Sequence, residues 1–184
     1  MIYVALLRGI NVGGKNIMEM KKLKTTFESL GFTNVVTYIN SGNIIFEDVS
    51  REESVIVREL EKAIEKDFQL EIKVLIRSSE NIATICRELP GTWLKNETMR
   101  TDVMFLWEEF DRPEVLDLLK INQVDQVKYA AGAILWNVEN KDYNKSGMIK
   151  LVGTKLYKNM TIRNVNTVRK LNEIITSINE HNNG

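Results

Sequence analysis

Little in this chain can support thiol or metal chemistry. It has 184 residues, with one cysteine, Cys86, and one histidine, His181. A single cysteine excludes an intrachain disulfide. The two residues cannot make up a Cys/His zinc set, and His181 sits in the polar tail HNNG, a poor place for a Ser-His-Asp or Cys-His system. Acid-base chemistry would have to use Asp, Glu, Lys or Tyr. Metal and cofactor are both expected to be none. Cys86 lies in SSENIATICREL with Ile82, Ile85 and Leu89 at helical spacing, and it reads as a small core residue. No apolar run approaches the roughly 18 residues needed to cross a bilayer. The N-terminus, MIYVALLRG, is too short for a signal peptide and lacks its basic start. The expectation is a soluble cytoplasmic protein with no membrane partner, as a monomer or weak homodimer.

A surplus of one charge sign is also missing. Lys and Arg total 25, as do Asp and Glu. That balance argues against indiscriminate nucleic-acid binding. The charges are unevenly spread, however. From Lys141 to Lys170 there are eight basic residues and one acid, Asp142, a net +7; from Thr101 to Asn140 eight acids face three bases, a net −5. The basic stretch could attract an anion or form a solvated helical face. The two segments could also pair with each other, within or between chains.

What is present is a core: 43% of the residues are hydrophobic, enough for one domain or two small ones. Residues 2–8, IYVALLR, read as a strand. A helix from Asn16 to Leu30 follows, with Met20, Leu23, Phe27 and Leu30 in phase and Gly31 as its stop. NVVTYI (34–39) and NIIFE (43–47) pair across Asn40-Ser41-Gly42. Ser50 and Glu53 form a capping box for a helix to about Lys66, and EIKVLIR (71–77) is a strand. The order β-α-β-β-α-β is the split βαβ, ferredoxin-like pattern. After a connecting helix (79–89) and linker the pattern restarts: strand 101–108, helix 112–121, strands 126–130 and 133–138, then helical stretches 146–158 and 162–179. No final strand can be placed in the second half, and no residue-level repeat is evident. The fold class is α+β: two tandem subdomains with mainly antiparallel sheets, over 1–77 and 101–184, joined by 78–100.

Gly9 to Asn16, GINVGGKN, is one letter from the phosphate-binding P-loop, which ends in Ser or Thr. Three features oppose that reading. Asn16 with Glu19 has the form of an N-cap and its Glu at N3, and Asn poorly replaces a Mg²⁺-ligating hydroxyl. The acids Glu47 and Asp48 fall at the far end of the sheet. Hairpins do not suit a parallel nucleotidase sheet. The same topology gathers Arg8, Gly9, Asn11, Gly13, Gly14, Lys15 and Asn16 with Asn40, Ser41, Gly42 and Asn43 at one end. Such a glycine- and amide-rich pair of loops could hold an anion, or could serve only to let the backbone turn.

A third motif, TIRNVNTV, lies near the C-terminus. Thr161 can cap a helix whose packed face carries Ile162, Val165, Val168, Leu171, Ile175 and Ile178. Arg163 and Asn164 then stand in its first turn, where they could fork onto a carboxylate, a phosphate or a backbone carbonyl, or the segment could be an ordinary amphipathic helix with a solvated basic face. LLRGINVGGKN, SGNIIF and TIRNVNTV, in this order and spacing, closely resemble the bacterial family known as domain of unknown function 1697. The resemblance implies two ferredoxin-like subdomains and no known activity, substrate or cofactor. Its motif residues here are Arg8, Gly9, Asn11, Val12, Gly13, Gly14, Asn16, Ser41, Gly42, Asn43, Thr161, Arg163 and Asn164. The family commonly has an aromatic where this chain has Val165, so a stacking role at that position is not supported.

Three functions compete. One is binding of a phosphate-bearing ligand, nucleotide or nucleic acid, at the Gly/Asn-rich loops. The ring-bearing strands of an RNA-recognition sheet are absent, so stacking on the sheet is not the mode. A second is an enzyme of unknown reaction using the same loops, with Lys15 or a carboxylate as base; no nucleophile can be named, and catalytic residues stay unknown. The third is a protein-interaction or self-association module. Binding is the favoured expectation.

Overall fold

A computed structural model of the chain describes residues 1–182; the last two residues of the HNNG tail lie outside the described residues. The chain divides into two compact units, Met1–Ser79 and a second beginning at Glu80.

The first unit runs β1 (Ile2–Leu7), α1 (Met20–Ser29), β2 (Thr33–Tyr38), β3 (Asn43–Glu47), α2 (Glu53–Phe68) and β4 (Val74–Ser78). Its sheet has the order β2-β3-β1-β4, and every neighbouring pair is antiparallel. The alternation along β1 decides what packs under the helices. Tyr3, Ala5 and Leu7 share a core with Phe27 of α1, Phe46 of β3 and Ile56, Leu60 and Ile64 of α2. Phe46 centres it, 4.7 Å from the Phe32 ring and 5.5 Å from the Phe27 ring. Each such side chain contributes about 1.5–3 kcal/mol by leaving water.

The ends of the two helices differ from the capping pattern in the sequence. α1 begins at Met20, and its N-cap, Glu19, makes no side-chain hydrogen bond. α2 begins at Glu53 after Glu52, not after Ser50. The carboxylate of Asp48 instead accepts the amides of Ser50 (3.1 Å) and Arg51 (2.7 Å). Arg51 then ties that corner: it bridges Asp48 and Glu59, donates to the Leu30 carbonyl and lies 4.5 Å over the Phe32 ring.

The second unit contains most of α3 (Ser79–Glu88), then β5 (Met99–Leu106), β6 (Gln126–Ala130), β7 (Ala133–Glu139), a single turn α4 (Lys155–Lys158), β8 (Met160–Asn164) and α5 (Val165–Asn182). Its order β6-β7-β5-β8 repeats the first sheet strand for strand. β8 is the final strand that the sequence pattern concealed. It runs into α5 with no loop between them, and Ile162 falls in phase with the Val165, Val168 and Leu171 stripe, so a periodicity count extends the helix through it. The expected helix over 112–121 is replaced by a 3₁₀ turn, and of the one expected over 146–158 only the single turn α4 is α-helical. Pro113–Leu118, Asn140–Lys145 and Gly147–Lys150 are 3₁₀ turns.

Tertiary contacts override helix propensity in these two connections. The Asp125 carboxylate accepts from Ser146 Oγ (2.5 Å), Trp136 Nε1 (3.0 Å) and the amides of Asn122 and Gly147. Gly147 lies so close to the Lys120 carbonyl that an added Cβ would sit 1.3 Å from its oxygen. The chain at 120–125 is thereby fastened to that at 146–147, which leaves no room for two regular helices.

The end of each sheet repeats as well. Arg77 of β4 stands opposite Val4, and Arg163 of β8 opposite Val103. Each guanidinium donates to the carbonyl of the preceding isoleucine, Ile76 at 3.0 Å and Ile162 at 2.9 Å. Each strand then turns straight into a helix. Ile76-Arg77-Ser78 and Ile162-Arg163-Asn164 are thus a residue-level repeat that sequence comparison of the halves missed.

Candidate functional site

The loop from Arg8 to Met18 leaves the end of β1 that β1 shares with the β2–β3 turn. The Leu7 amide donates to the Gly42 carbonyl (2.9 Å) and the Arg8 amide to the Lys73 carbonyl (3.0 Å). Glu47 pairs with Ile2, at the opposite end of the sheet, so the acid a P-loop needs is indeed remote from the glycines. The loop is a miniature hairpin. The Asn11 amide donates to the Asn16 carbonyl (3.1 Å) and the Lys15 amide to the Val12 carbonyl (3.0 Å). Gly13 and Gly14, at its tip, have φ of 57° and 73°, as the central pair of a type I′ turn requires.

Asn16 is not a helix cap. Its φ is 49°, it lies in the hairpin, and its Nδ2 donates to the Gly9 carbonyl at 2.9 Å. Three residues separate it from Met20, where α1 starts, so the glycine turn does not open onto a helix N-terminus. Asn11 is the fastener of the whole arrangement. Its Oδ1 accepts the Met18 amide (2.7 Å); its Nδ2 donates to the carbonyls of Met18 (3.0 Å) and Asn40 (2.7 Å). One carboxamide therefore joins the start of the loop, its end and the β2–β3 turn.

That turn is braced in the same manner. Asn43 Nδ2 donates to Tyr38 O (3.1 Å) and Ser41 Oγ (2.9 Å). Gly42 has φ 79°, and a Cβ there would meet Leu7 Cβ at 2.8 Å and Ile10 Cδ1 at 2.7 Å. Only glycine lets Ile10 close over the turn. The first two motifs are consequently one site, and their asparagines are spent on holding it together. Val12, Gly13, Gly14, Lys15 and Ile17 are exposed, and Arg8 is half-buried. Gly9, Gly13 and Gly14 have nothing within 4 Å of the position of a Cβ. Ile39, one residue before Asn40, has φ 49°, a left-handed conformation that a β-branched side chain rarely adopts.

The third motif belongs to the second unit and has a different geometry from a helix's first turn. Thr161 is a strand residue, not an N-cap; its Oγ1 accepts from Arg163 Nη1 at 2.9 Å. Arg163 is buried, at 7% exposure, and burial pushes its guanidinium down to about 10. Asn164 is the true cap of α5: its Oδ1 accepts the Thr167 amide at 3.0 Å. Arg169 also serves structure, reaching the carbonyls of Trp93 and Pro90.

Four lysines of the basic stretch from Lys141 to Lys170 are ion-paired in the fold, three of them with acids from outside the stretch. Lys141 pairs with Glu139, Lys145 with Asp142, Lys155 with Glu109 and Lys170 with Glu173. Cys86 is half-buried, not a core residue; burial raises its thiol pKa, the Arg169 charge partly opposes this, and its Sγ lies 3.8 Å from the Val168 carbonyl. A surface cavity of about 370 Å³ is lined by Glu61, Glu65, Glu71, Ile72 and Lys73; three carboxylates against one ammonium suit no anion. Among the described residues no group of three or more His, Cys, Asp or Glu is placed to hold a metal, and no helix is long and apolar enough to cross a membrane.

Two four-stranded antiparallel sheets and a braced glycine–asparagine loop define an α+β protein whose distinctive surface is the loop end of its first sheet. The chain belongs to the family described as protein of unknown function (DUF1697), whose model matches residues 1–136. It is similar to the conserved bacterial protein SP0830 from Streptococcus pneumoniae, with 29% identity and a TM-score of 0.80, over 94% of this chain and 97% of that one. No curated protein matches the sequence.

Proposed function

We propose that the two units are ferredoxin-like and that the first presents a binding site for a phosphate-bearing ligand, nucleotide or nucleic acid, at the glycine–asparagine loops. The strand orders β2-β3-β1-β4 and β6-β7-β5-β8 support the architecture. The single observation that carries the site is the concentration of left-handed backbone. Five of the eight residues from Gly9 to Asn16 have positive φ, and Ile39 on the neighbouring turn does too. Glycine takes such φ freely, but at Asn11, Asn16 and Ile39 the conformation persists only where surrounding structure enforces it, and such residues gather at ligand clamps. The type I′ turn sets φ at Gly13 and Gly14, and nothing lies within 4 Å of their Cβ positions. Their main chain can approach a ligand closely, beside the charges of Lys15 and Arg8. The asparagines hold this shape and do not themselves bind.

The segments 8–18 and 39–46 contain two cations and no acid, which favours an anionic ligand. The test is a titration of nucleotides, short oligonucleotides and inorganic phosphate at low and moderate salt. Lys15→Ala and Arg8→Ala should each weaken binding by about three- to tenfold and flatten its salt dependence. Binding that is indifferent to both substitutions would overturn the assignment.

A further inference from the structure

The outer strands of the two sheets are β2 and β4 in the first unit and β6 and β8 in the second. Three of them carry a cation: Arg77 in β4, Lys128 in β6 and Arg163 in β8. β2, with the sequence TNVVTY, has no charged residue and no proline, the two common guards of a sheet edge. Its pairing with β3 is regular over Val36, Thr37 and Tyr38, which stand opposite Ile45, Ile44 and Asn43. The register shifts before Val36, where Asn34 has φ 48°, so the irregularity guards only the first half of the strand. Among the described residues, no hydrogen bond reaches Thr33–Tyr38 from any element but β3. The open strip is Val36 to Tyr38, half-buried, and it runs into Ile39, which is 48% exposed.

α1 borders the same edge, between β2 and α2. Two bonds fix its α2 side: Lys22 Nζ donates to the Asp67 carbonyl (2.5 Å) and Thr26 Oγ1 to the Asp67 carboxylate (2.7 Å). Leu23 and Phe27 enter the core beneath. Lys24 and Glu28 lie about 200° and 240° around the helix from Lys22, and Lys21 about 260°. These three therefore occupy the flank turned away from α2, above the β2 edge. Lys24 and Glu28 are 3.8 Å apart and 45% and 49% exposed; Lys21 is exposed as well.

From this juxtaposition we infer that the outer edge of β2 takes a second copy of this chain: the two β2 strands pair antiparallel about a two-fold axis, and the two α1 helices lie alongside each other across the joint. A two-fold makes every contact twice. It sets an uncharged strand rich in Val and Thr against itself, with no like charges opposed. On α1, Lys21 and Lys24 stand in the first half of the helix and Glu28 in the second. Antiparallel copies therefore set cations against an acid at both ends of the joint. That self-complementarity selects a second copy over a foreign extended peptide, which would gain only the backbone bonds of a short strip. The joint is independent of the ligand reading above. β2 runs toward the Asn40 turn, so antiparallel strands place the two glycine loops at opposite ends of the joined sheet.

Sedimentation velocity of the full chain tests it. Over about 5 to 500 µM the protein should show a reversible monomer–dimer equilibrium, weakened by salt. Lys24→Glu and Glu28→Lys should each raise the dimer Kd by about three- to tenfold. The exchanged pair, Lys24→Glu together with Glu28→Lys, should return it close to the parent value, because the swap rebuilds both contacts. Lys62→Glu makes the same charge change at an exposed residue of α2 and should leave Kd unchanged. Thr37→Lys sets like charges on the joined strands and should raise Kd by about tenfold or more. Circular dichroism confirms that each variant is folded; if Thr37→Lys is not, the helix variants decide. A monomer throughout the range would overturn the inference, even if a foreign peptide adds to β2. A dimer indifferent to Lys24→Glu and Glu28→Lys, or one that the exchanged pair does not restore, has its contact elsewhere and would overturn it too.

Discussion

Gly42→Ala should be the most damaging of the small substitutions in the loop site, and its cost can be worked from two separate penalties. Gly42 has φ 79°. An alanine held there has the left-handed penalty of about 1–2 kcal/mol. Its Cβ would also lie 2.8 Å from Leu7 Cβ and 2.7 Å from Ile10 Cδ1. Ile10 Cδ1 is the far end of a side chain and can rotate aside. Leu7 Cβ is fixed to β1, whose amide at Leu7 donates to the Gly42 carbonyl. The turn must then move away from β1, at an overpacking cost of about 1–3 kcal/mol. The total is about 2–5 kcal/mol. Gly13→Ala and Gly14→Ala isolate the first penalty, since both have positive φ and neither has a neighbour within 4 Å of the new atom; each should cost only about 1–2 kcal/mol. Urea unfolding followed by circular dichroism measures all three, and amide exchange at β1 and β3 localises the loss. If Gly42→Ala falls within about 0.5 kcal/mol of Gly13→Ala, the close approach of the two loops is not what demands glycine, and the reasoning fails.

Further consequences can be checked by the same unfolding measurements. Asn11→Ala removes three hydrogen bonds and should lower stability by about 2–3 kcal/mol, with faster amide exchange at both Met18 and Asn40. Asn164→Ala strips the cap from α5 and should cost about 1 kcal/mol, while Asn164→Asp or Asn164→Ser should stay near the parent. Gly147→Ala should prevent the second unit from folding, because backbone and not a side chain occupies the space of the new methyl; a native spectrum would disprove the contact. For Asp125, burial disfavours the charged form, but hydrogen bonds from Ser146, the Asn122 and Gly147 amides and Trp136 outweigh it and hold the carboxyl below its usual range. A depressed folded-state value stabilises above the unfolded value of about 3.9 and is lost as pH falls through the folded value. Asp125→Asn should therefore flatten the acid limb of the stability curve below about pH 4, and an unchanged limb would refute that role.

How much was legible in the residues differs between the units. The first unit was readable because each element carries its own signal: alternation in β1, the Phe27 and Leu23 stripe in α1, and turn residues at 40–42. The second unit hid β8, since Ile162 keeps step with the stripe of α5, and it hid the 3₁₀ connections, since Val115 and Leu119 mimic a helical face. The asparagines misled in one consistent way. Asn16 before Glu19 and Thr161 before Asn164 both look like caps in one dimension. Asn16 is instead held by the Gly9 carbonyl, and the capping atom falls to Asn164, three residues beyond Thr161.

The chain by itself determined the α+β class, the β-α-β-β-α-β order of the first unit, the lack of an intrachain disulfide, and the meeting of the GINVGGKN and SGN loops at one sheet end. Those follow from composition and from local periodicity, which depend on near neighbours. Only the tertiary structure decided what each side chain does once there. It turned the loop asparagines inward as braces and paired Lys141, Lys155 and Lys170 of the basic stretch with acids outside it. It also left Val12, Lys15, Ile17 and Ile39 exposed. The physical reason is that a carboxamide, an ammonium or an aliphatic group is recruited by whatever partner lies within a few ångströms, and for Asn11 and Asn40 that partner is 29 residues away.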